Sequence, residues 1–322
     1  MIQNQDKPES RLLVHIGYHK TGTTWLQSEL FTPDSGTFVP LSLGNDPNPG
    51  KYLGKHFVRD REGYLLSPFV TNEAVIMEEL DAALARIDTQ GRIPVLSYER
   101  LSGNPHSGGF DAKTIAERIR ACFPEARIFC VIREQRDMIL STYFQYLKIG
   151  GIDSLDNYLT RSYDGRRPGF SPDHFDYSKL VAYYLQLFSP ENVLVLPYEM
   201  FRNHPGRYLQ RLGDFVSADL AGLAGQARIF HNERAKNPII PRFPFLNLVF
   251  GKSSVNAYSP LHIPLSESLV DAANRFMRAG RGAYIDKLKQ QTARFVGDRF
   301  AAGNRKLSEL TGLDLRDYGY YD

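Results

Sequence analysis

Four short apolar runs constrain this chain more than any other feature. Leu12–Gly17, Ile93–Ser97, Ile128–Ile132 and Val193–Pro197 show no regular alternation of apolar and polar residues. Runs of that length read as strands buried on both faces, as in parallel sheets covered by helices. Around them lie segments of helical periodicity: Thr24–Leu30, Ala74–Ile87, Ala112–Cys122, Arg136–Leu147 and Tyr177–Phe188. The alternation predicts an α/β fold, a three-layer domain with a central parallel sheet. In such folds ligands gather where the C-terminal strand ends meet the following loops.

The chain has 322 residues, 42% of them apolar, enough for a sizeable core and too many for a mostly disordered polypeptide. Lys and Arg number 39 against 36 Asp and Glu, so the net charge of +3 creates no bulk field for nucleic acid. No stretch approaches the ~18 apolar residues of a membrane helix. Met1–Arg11 is polar and has no hydrophobic signal core. The expectation is a cytoplasmic protein with no nucleic-acid partner and no membrane insertion. Cys122 and Cys130, the two cysteines, make neither a disulfide framework nor a zinc pattern. No repeat or composition shift divides the chain, so residues 1–322 are expected as one domain, with 1–10 disordered. Segments 32–68 and 237–264 are rich in turn formers and aromatics and are expected as substrate-site loops. From Leu265 the tail reads as helices containing Arg294–Phe300.

The first run leads directly into Gly17-Tyr18-His19-Lys20-Thr21-Gly22-Thr23-Thr24-Trp25. Two glycines five positions apart, followed by hydroxyl residues and a helix, outline a loop whose amides can cradle an anion. A nucleotide hydrolase carries lysine right after the second glycine. Here Thr23 takes that place and Lys20 precedes Gly22. The cradle is kept and the cation moved, which argues against an ordinary ATPase or GTPase.

Lys20-Thr21-Gly22-Thr23-Thr24-Trp25 resembles the P-loop-like phosphosulfate-binding loop of sulfotransferases that use 3′-phosphoadenosine 5′-phosphosulfate (PAPS). A second segment agrees. After Ile128–Ile132 come Arg133 and, eight residues on, Ser141, the spacing of the family's 3′-phosphate motif. A dianionic phosphate suits a guanidinium fork and a hydroxyl donor. Arg133 is equally suited to a structural ion pair. Third, Val193–Pro197 leads into Tyr198-Glu199-Met200, similar to the family's Tyr-Glu-containing strand, whose tyrosine reaches the adenine; core packing is the other role open to Tyr198. Trp25 and Tyr198 would offer flat surfaces to a purine. The resemblance spans most of residues 11 to 216. It thins beyond, because the Arg-Lys-Gly loop of cytosolic members is missing; Arg234 and Lys236 are candidates for its task or are solvated surface charges.

The resemblance implies a general base near the sulfuryl group. Cytosolic members place a histidine at the end of a central strand, and Glu99 falls at that place here. Carbohydrate- and protein-modifying relatives use glutamate, usually nearer the first loop, where Glu29 is the nearest acid. His19 and His56 are the histidine alternatives, and a cap or an ion pair with Arg100 or a nearby lysine is the structural role open to Glu99. The implied mechanism has Lys20 neutralising charge on the bridging and leaving oxygens. Thr23, Thr24 and the loop amides hold the 5′-phosphate, and Glu99 takes the acceptor proton. PAPS is the expected donor, adenosine 3′,5′-bisphosphate (PAP) the product, and no metal is expected. The acceptor is expected to be a small molecule or glycan, with a tilt toward carbohydrate; the oligomeric state is not readable. Two competing readings are a small-molecule P-loop kinase, which would need magnesium ligands, and a non-catalytic nucleotide-binding protein.

Overall fold

The computed structural model describes residues 12–41, 57, 78, 85, 91–160, 169–223 and 281–321. Its sheet has five parallel strands: β1 (Leu13–His15), β2 (Phe38–Pro40), β3 (Ile93–Ser97), β4 (Arg127–Ile132) and β5 (Val193–Pro197). Their spatial order is β2-β3-β1-β4-β5. Val14 of β1 registers with Leu96 of β3 on one side and Ile128 of β4 on the other. From β1 the chain goes first to the β2 and β3 side and later to β4 and β5. The loop after β1 therefore opens at the switch in strand order, where α/β proteins form their ligand crevices.

Ile128 through Ile132 are buried without interruption. Successive strand side chains point to opposite faces, so both faces of the sheet are covered, as the unbroken runs require. The helices are α1 (Thr23–Trp25), α2 (Ala112–Cys122), α3 (Gln135–Lys148), α4 (Leu155–Thr160), α5 (Tyr177–Leu187), α6 (Tyr198–Asn203), α7 (Pro205–Val216), α8 (Arg281–Val296) and α9 (Ala301–Thr311). In α2, Ile115, Ala116, Ile119 and Cys122 recur at helical spacing and are buried, and the helix packs on α5. Toward the C-terminus α9 packs on α5 and α8 on α3. Among the described residues no helix is long and apolar enough to cross a membrane.

Four elements depart from the sequence reading. Phe38–Pro40 was expected inside a substrate-site loop and is instead the edge strand β2, pairing with β3. A three-residue strand is too short to show as an apolar run, and its terminal proline is tolerated on an edge. After Trp25 the first helix widens to a π-helical stretch, Leu26–Leu30, where the Phe31 amide donates to the Leu26 carbonyl. Tyr198 and Glu199 open helix α6 instead of extending a strand. Arg294–Phe300 is not continuous helix: α8 ends at Val296, Gly297 takes a φ of 47°, and α9 begins after Phe300. Most of segments 32–68 and 74–87, all of 237–264 and residues 1–10 lie outside the described residues. Within 74–87, Glu78 and Ala85 are helical.

Candidate active site

The chain stays paired with β4 as it leaves β1. Ile16 N–H donates to the Phe129 carbonyl at 2.9 Å and Tyr18 N–H to Val131 at 3.2 Å. It then turns sharply, with Lys20 at φ 66° and Gly22 at φ 86°. The left-handed region costs glycine little and a lysine about 1 kcal/mol or more. The turn leaves the Lys20 side chain exposed, while the buried Thr21 hydroxyl donates to the Tyr18 carbonyl. Helix α1 follows at once, and first-turn amides lack partners within a helix.

The strand end beneath the loop is tied by one polar group. His15 is fully buried, and its Nδ1 lies 2.8 Å from Ser97 Oγ of β3. Gln27 Nε2 donates to the Ser97 carbonyl at 3.0 Å and to its hydroxyl at 3.2 Å. Strand β1, strand β3 and the helical stretch after the loop are thus joined. Burial pushes the His15 imidazole down to about 3, so it is neutral. Gly17 passes directly over the ring: a Cβ there would stand 2.4 Å from His15 Nε2.

Arg133, at the end of β4, connects the three segments that the sequence set apart. Its Nη1 donates to the Lys20 carbonyl at 3.2 Å, and its guanidinium lies 5.2 Å from the Tyr198 ring centroid. Its Nη2 pairs with Asp137 at 3.3 Å, one helical turn on, so the ion-pair role considered for Arg133 is real. The pair does not use the whole guanidinium, because Nε is buried without a partner among the described residues. Tyr198 also lies against the loop, 3.3 Å from where a Gly22 Cβ would stand.

A carboxylate cap holds this corner in place. Glu134 accepts from the amides of Arg136 and Asp137, capping α3. The Glu134 amide donates to Glu199 at 3.1 Å, and Tyr320 O–H donates to the same carboxyl at 3.2 Å. Burial pushes the Glu199 carboxyl above the ordinary range. Tyr177 O–H donates to the Arg133 carbonyl at 2.7 Å.

The other predicted residues divide clearly. Thr23 is buried, and its Oγ1 has no partner among the described residues; Thr24 is exposed. Trp25 is 1% exposed and packs on Phe201 with centroids 4.9 Å apart, so its ring faces the interior. Ser141 is half-buried within α3. Glu99 opens a short 3₁₀ turn, Glu99–Ser102, after β3 and is half-buried. Arg100 pairs with Asp111 at 3.2 Å, leaving the Glu99 carboxylate without an ion pair among the described residues. Glu29 lies in the π-helical stretch, and His19 is nearly buried in the loop. His56, Arg234 and Lys236 lie outside the described residues. Sequence reasoning passed over His15, Gln27, Asp137 and Tyr320. Two signals were present: polar His15 and Ser97 interrupt apolar runs, and Asp137 stands four residues after Arg133.

The architecture is a parallel α/β sheet with a lysine, an arginine and a buried threonine hydroxyl gathered around the end of its central strand. Comparison with known families says which class of protein carries it. The sulfotransferase domain model matches residues 11–239, and the chain belongs to that family. None of the curated proteins compared with the chain matches it. A sulfotransferase from Alicyclobacillus acidocaldarius has a similar solved structure, with TM-score 0.53 and 15% identity over 95% of this chain and 98% of that one. The mouse sulfotransferase SULT7A1 complexed with PAP aligns at TM-score 0.41 and 13% identity, over 88% of this chain and 85% of that one. The sulfotransferase domain from the curacin biosynthetic pathway aligns at 0.41 and 14%, over 89% and 96%. Sulfotransfer is the chemistry this membership supports. No His/Cys/Asp/Glu group that could hold a metal occurs among the described residues.

Proposed function

We propose that this protein transfers the sulfuryl group of PAPS to a hydroxyl or amine acceptor. The observation that supports it best is the position of Arg133, which touches the Lys20 carbonyl and the Tyr198 ring at once. Three segments of matching chemistry meet at one strand edge. Thr23 Oγ1 and Arg133 Nε are buried polar atoms without protein partners, and phosphate oxygens are acceptors suited to both.

In this reading the loop amides with Thr21, Gly22, Thr23 and Thr24 hold the 5′-phosphosulfate. Arg133 and Ser141 take the 3′-phosphate and Tyr198 the adenine, while Trp25 shapes the pocket from behind. Arg234 and Lys236 are carried as further phosphate contacts. Lys20 offsets negative charge on the bridging oxygen as its bond to sulfur breaks, and PAP departs. The acceptor oxygen attacks sulfur in line and gives its proton to Glu99. Catalysis is then positioning and electrostatics, as in phosphoryl transfer, with the ammonium supplying the counter-charge. Carbohydrate is the acceptor class that a glutamate base and the missing Arg-Lys-Gly loop favour.

The test is transfer of labelled sulfate from PAPS across sugars, phenols and steroids. Label should appear on at least one acceptor without added magnesium. Turnover of ATP that depends on magnesium would replace this reading with a kinase, and tight PAP binding with no transfer would leave a nucleotide-binding protein.

A further inference from the structure

The three residues that follow Arg133 are held by a part of the chain that the donor assignment does not use. Beyond helix α9 comes a 3₁₀ turn, Leu315–Tyr318, and the chain reverses at Gly319, whose φ of 84° is a conformation glycine takes at little cost. Gly319 N–H donates to the Arg316 carbonyl at 2.9 Å, and Tyr320 N–H to that of Leu315 at 3.2 Å, closing the turn. Tyr320 is then directed inward, 3% exposed, while Tyr321 stays at the surface, 53% exposed.

The contacts run residue by residue. Tyr320 O–H donates to one oxygen of the Glu199 carboxyl at 3.2 Å, and the other oxygen accepts from the Glu134 amide at 3.1 Å. Gln135 Nε2 donates to Asn304 Oδ1 of α9 at 2.6 Å, and Asn304 Nδ2 donates to the Tyr321 carbonyl. Arg136 Nη2 donates to the Gly319 carbonyl at 3.3 Å, and its guanidinium lies 4.2 Å from the Tyr321 ring centroid. Glu134 is thus reached through Glu199, Gln135 through Asn304, and Arg136 directly.

These ties meet at one peptide unit. The peptide joining Arg133 to Glu134 has its carbonyl bound by the Tyr177 hydroxyl at 2.7 Å and its amide bound by Glu199. Fixing both polar groups fixes the peptide plane, and with it the direction in which the Arg133 side chain leaves the backbone. The amide side depends on Tyr320. Glu199 is 4% exposed, so its carboxyl draws on protein donors in place of water, and burial favours its neutral form. Removing the Tyr320 hydroxyl takes one donor away and loosens the hold of Glu199 on the Glu134 amide. A positioned group loses much of its effect when it is displaced by about 1 Å.

We propose that Tyr320 is a positioning residue for donor binding: it braces Glu199, Glu199 orients the Arg133–Glu134 peptide, and Arg133 is thereby presented to the 3′-phosphate. The brace rests on the donor assignment made above. It gives a segment far along the chain a part in a site built from strand ends.

PAP titrated calorimetrically into the full-length protein tests the brace. Tyr320→Phe keeps the ring, removes the hydroxyl and should weaken PAP about five- to tenfold. With an acceptor found by the labelled-sulfate screen, the KM for PAPS should rise by a similar factor while kcat stays within about twofold. In an Arg133→Ala background the same change should cost less than about twofold, because its effect runs through Arg133. A lower melting temperature with PAP affinity within about twofold of wild type would overturn the brace, as would a fall in kcat at unchanged KM. So would a loss of PAP affinity that persists in full without Arg133. If Tyr320→Phe does not fold, Tyr321→Ala decides, since its ring lies at the surface: PAP about threefold weaker supports the brace, and unchanged affinity refutes it. Failure of the wild type to bind PAP would sink the donor assignment and the brace with it, whereas binding that ignores Tyr320 sinks the brace alone.

Discussion

The two sides of the first loop solve opposite problems. On the β4 and β5 side, Arg133 is a cation with protein around it, having a carbonyl, a carboxylate and an aromatic ring as neighbours, while the Lys20 side chain beside it is exposed. On the β3 side, His19, His106 and His174 are neutral, and one ring nitrogen of each is buried without a partner among the described residues. The first side is organised before any ligand arrives, as electrostatic stabilisation of transferred charge requires. The second holds neutral rings whose open valences are sealed inside the protein.

That contrast can be broken in order of effect. Glu99→Gln should lower turnover ~10²–10⁴-fold with PAP affinity unchanged. A variant keeping more than about a tenth of wild-type turnover removes Glu99 as the base and turns attention to His19. Lys20→Ala should lower turnover ~10²–10³-fold, measured under saturating donor, since its charge matters most as the bond to sulfur breaks. Arg133→Ala should act on the ground state instead, weakening PAP by about ten- to a hundredfold in calorimetry while turnover at saturation falls less. Equal losses of donor affinity in Lys20→Ala and Arg133→Ala would show that the two cations do not divide the work.

A last test reads the buried rings by pH and concerns stability, not turnover. Burial holds His15, His106 and His174 at about 3, about 4 and about 3, below the ordinary value of 6.5. Below pH 6.5 the unfolded chain takes up protons that the folded chain refuses, so stability falls as pH drops and levels off near 3 to 4. Each histidine contributes a slope of about 1.4 kcal/mol per pH unit inside that window. Thermal melts from pH 7 to 4.5 should show a steep decline, shallower in His174→Phe; a flat profile would mean these rings are hydrated and charged.

Much of this was legible from the chain alone, for identifiable reasons. Helix α2 matches its predicted span Ala112–Cys122, because its apolar residues recur at helical spacing in a contiguous stretch. Strands β3, β4 and β5 were visible because burial on both faces demands unbroken apolar runs. Strand β2 was not, since three residues carry no pattern against a background of turn formers. The turn through Lys20 and Gly22 was readable because a tight turn depends on spacing within a few residues.

Periodicity and local spacing were thus enough to establish a parallel α/β sheet, a sharp glycine turn after its first strand, and the residue types available to it. They could not say that Arg133 would reach across 113 positions to Lys20, or that Glu134 would lean on Glu199 65 positions away. Those meetings follow from strand order, which brings the ends of β3, β1, β4 and β5 to one edge. Burial and neutrality follow in turn, because a side chain's dielectric surroundings are set by everything packed around it and not by its neighbours in sequence.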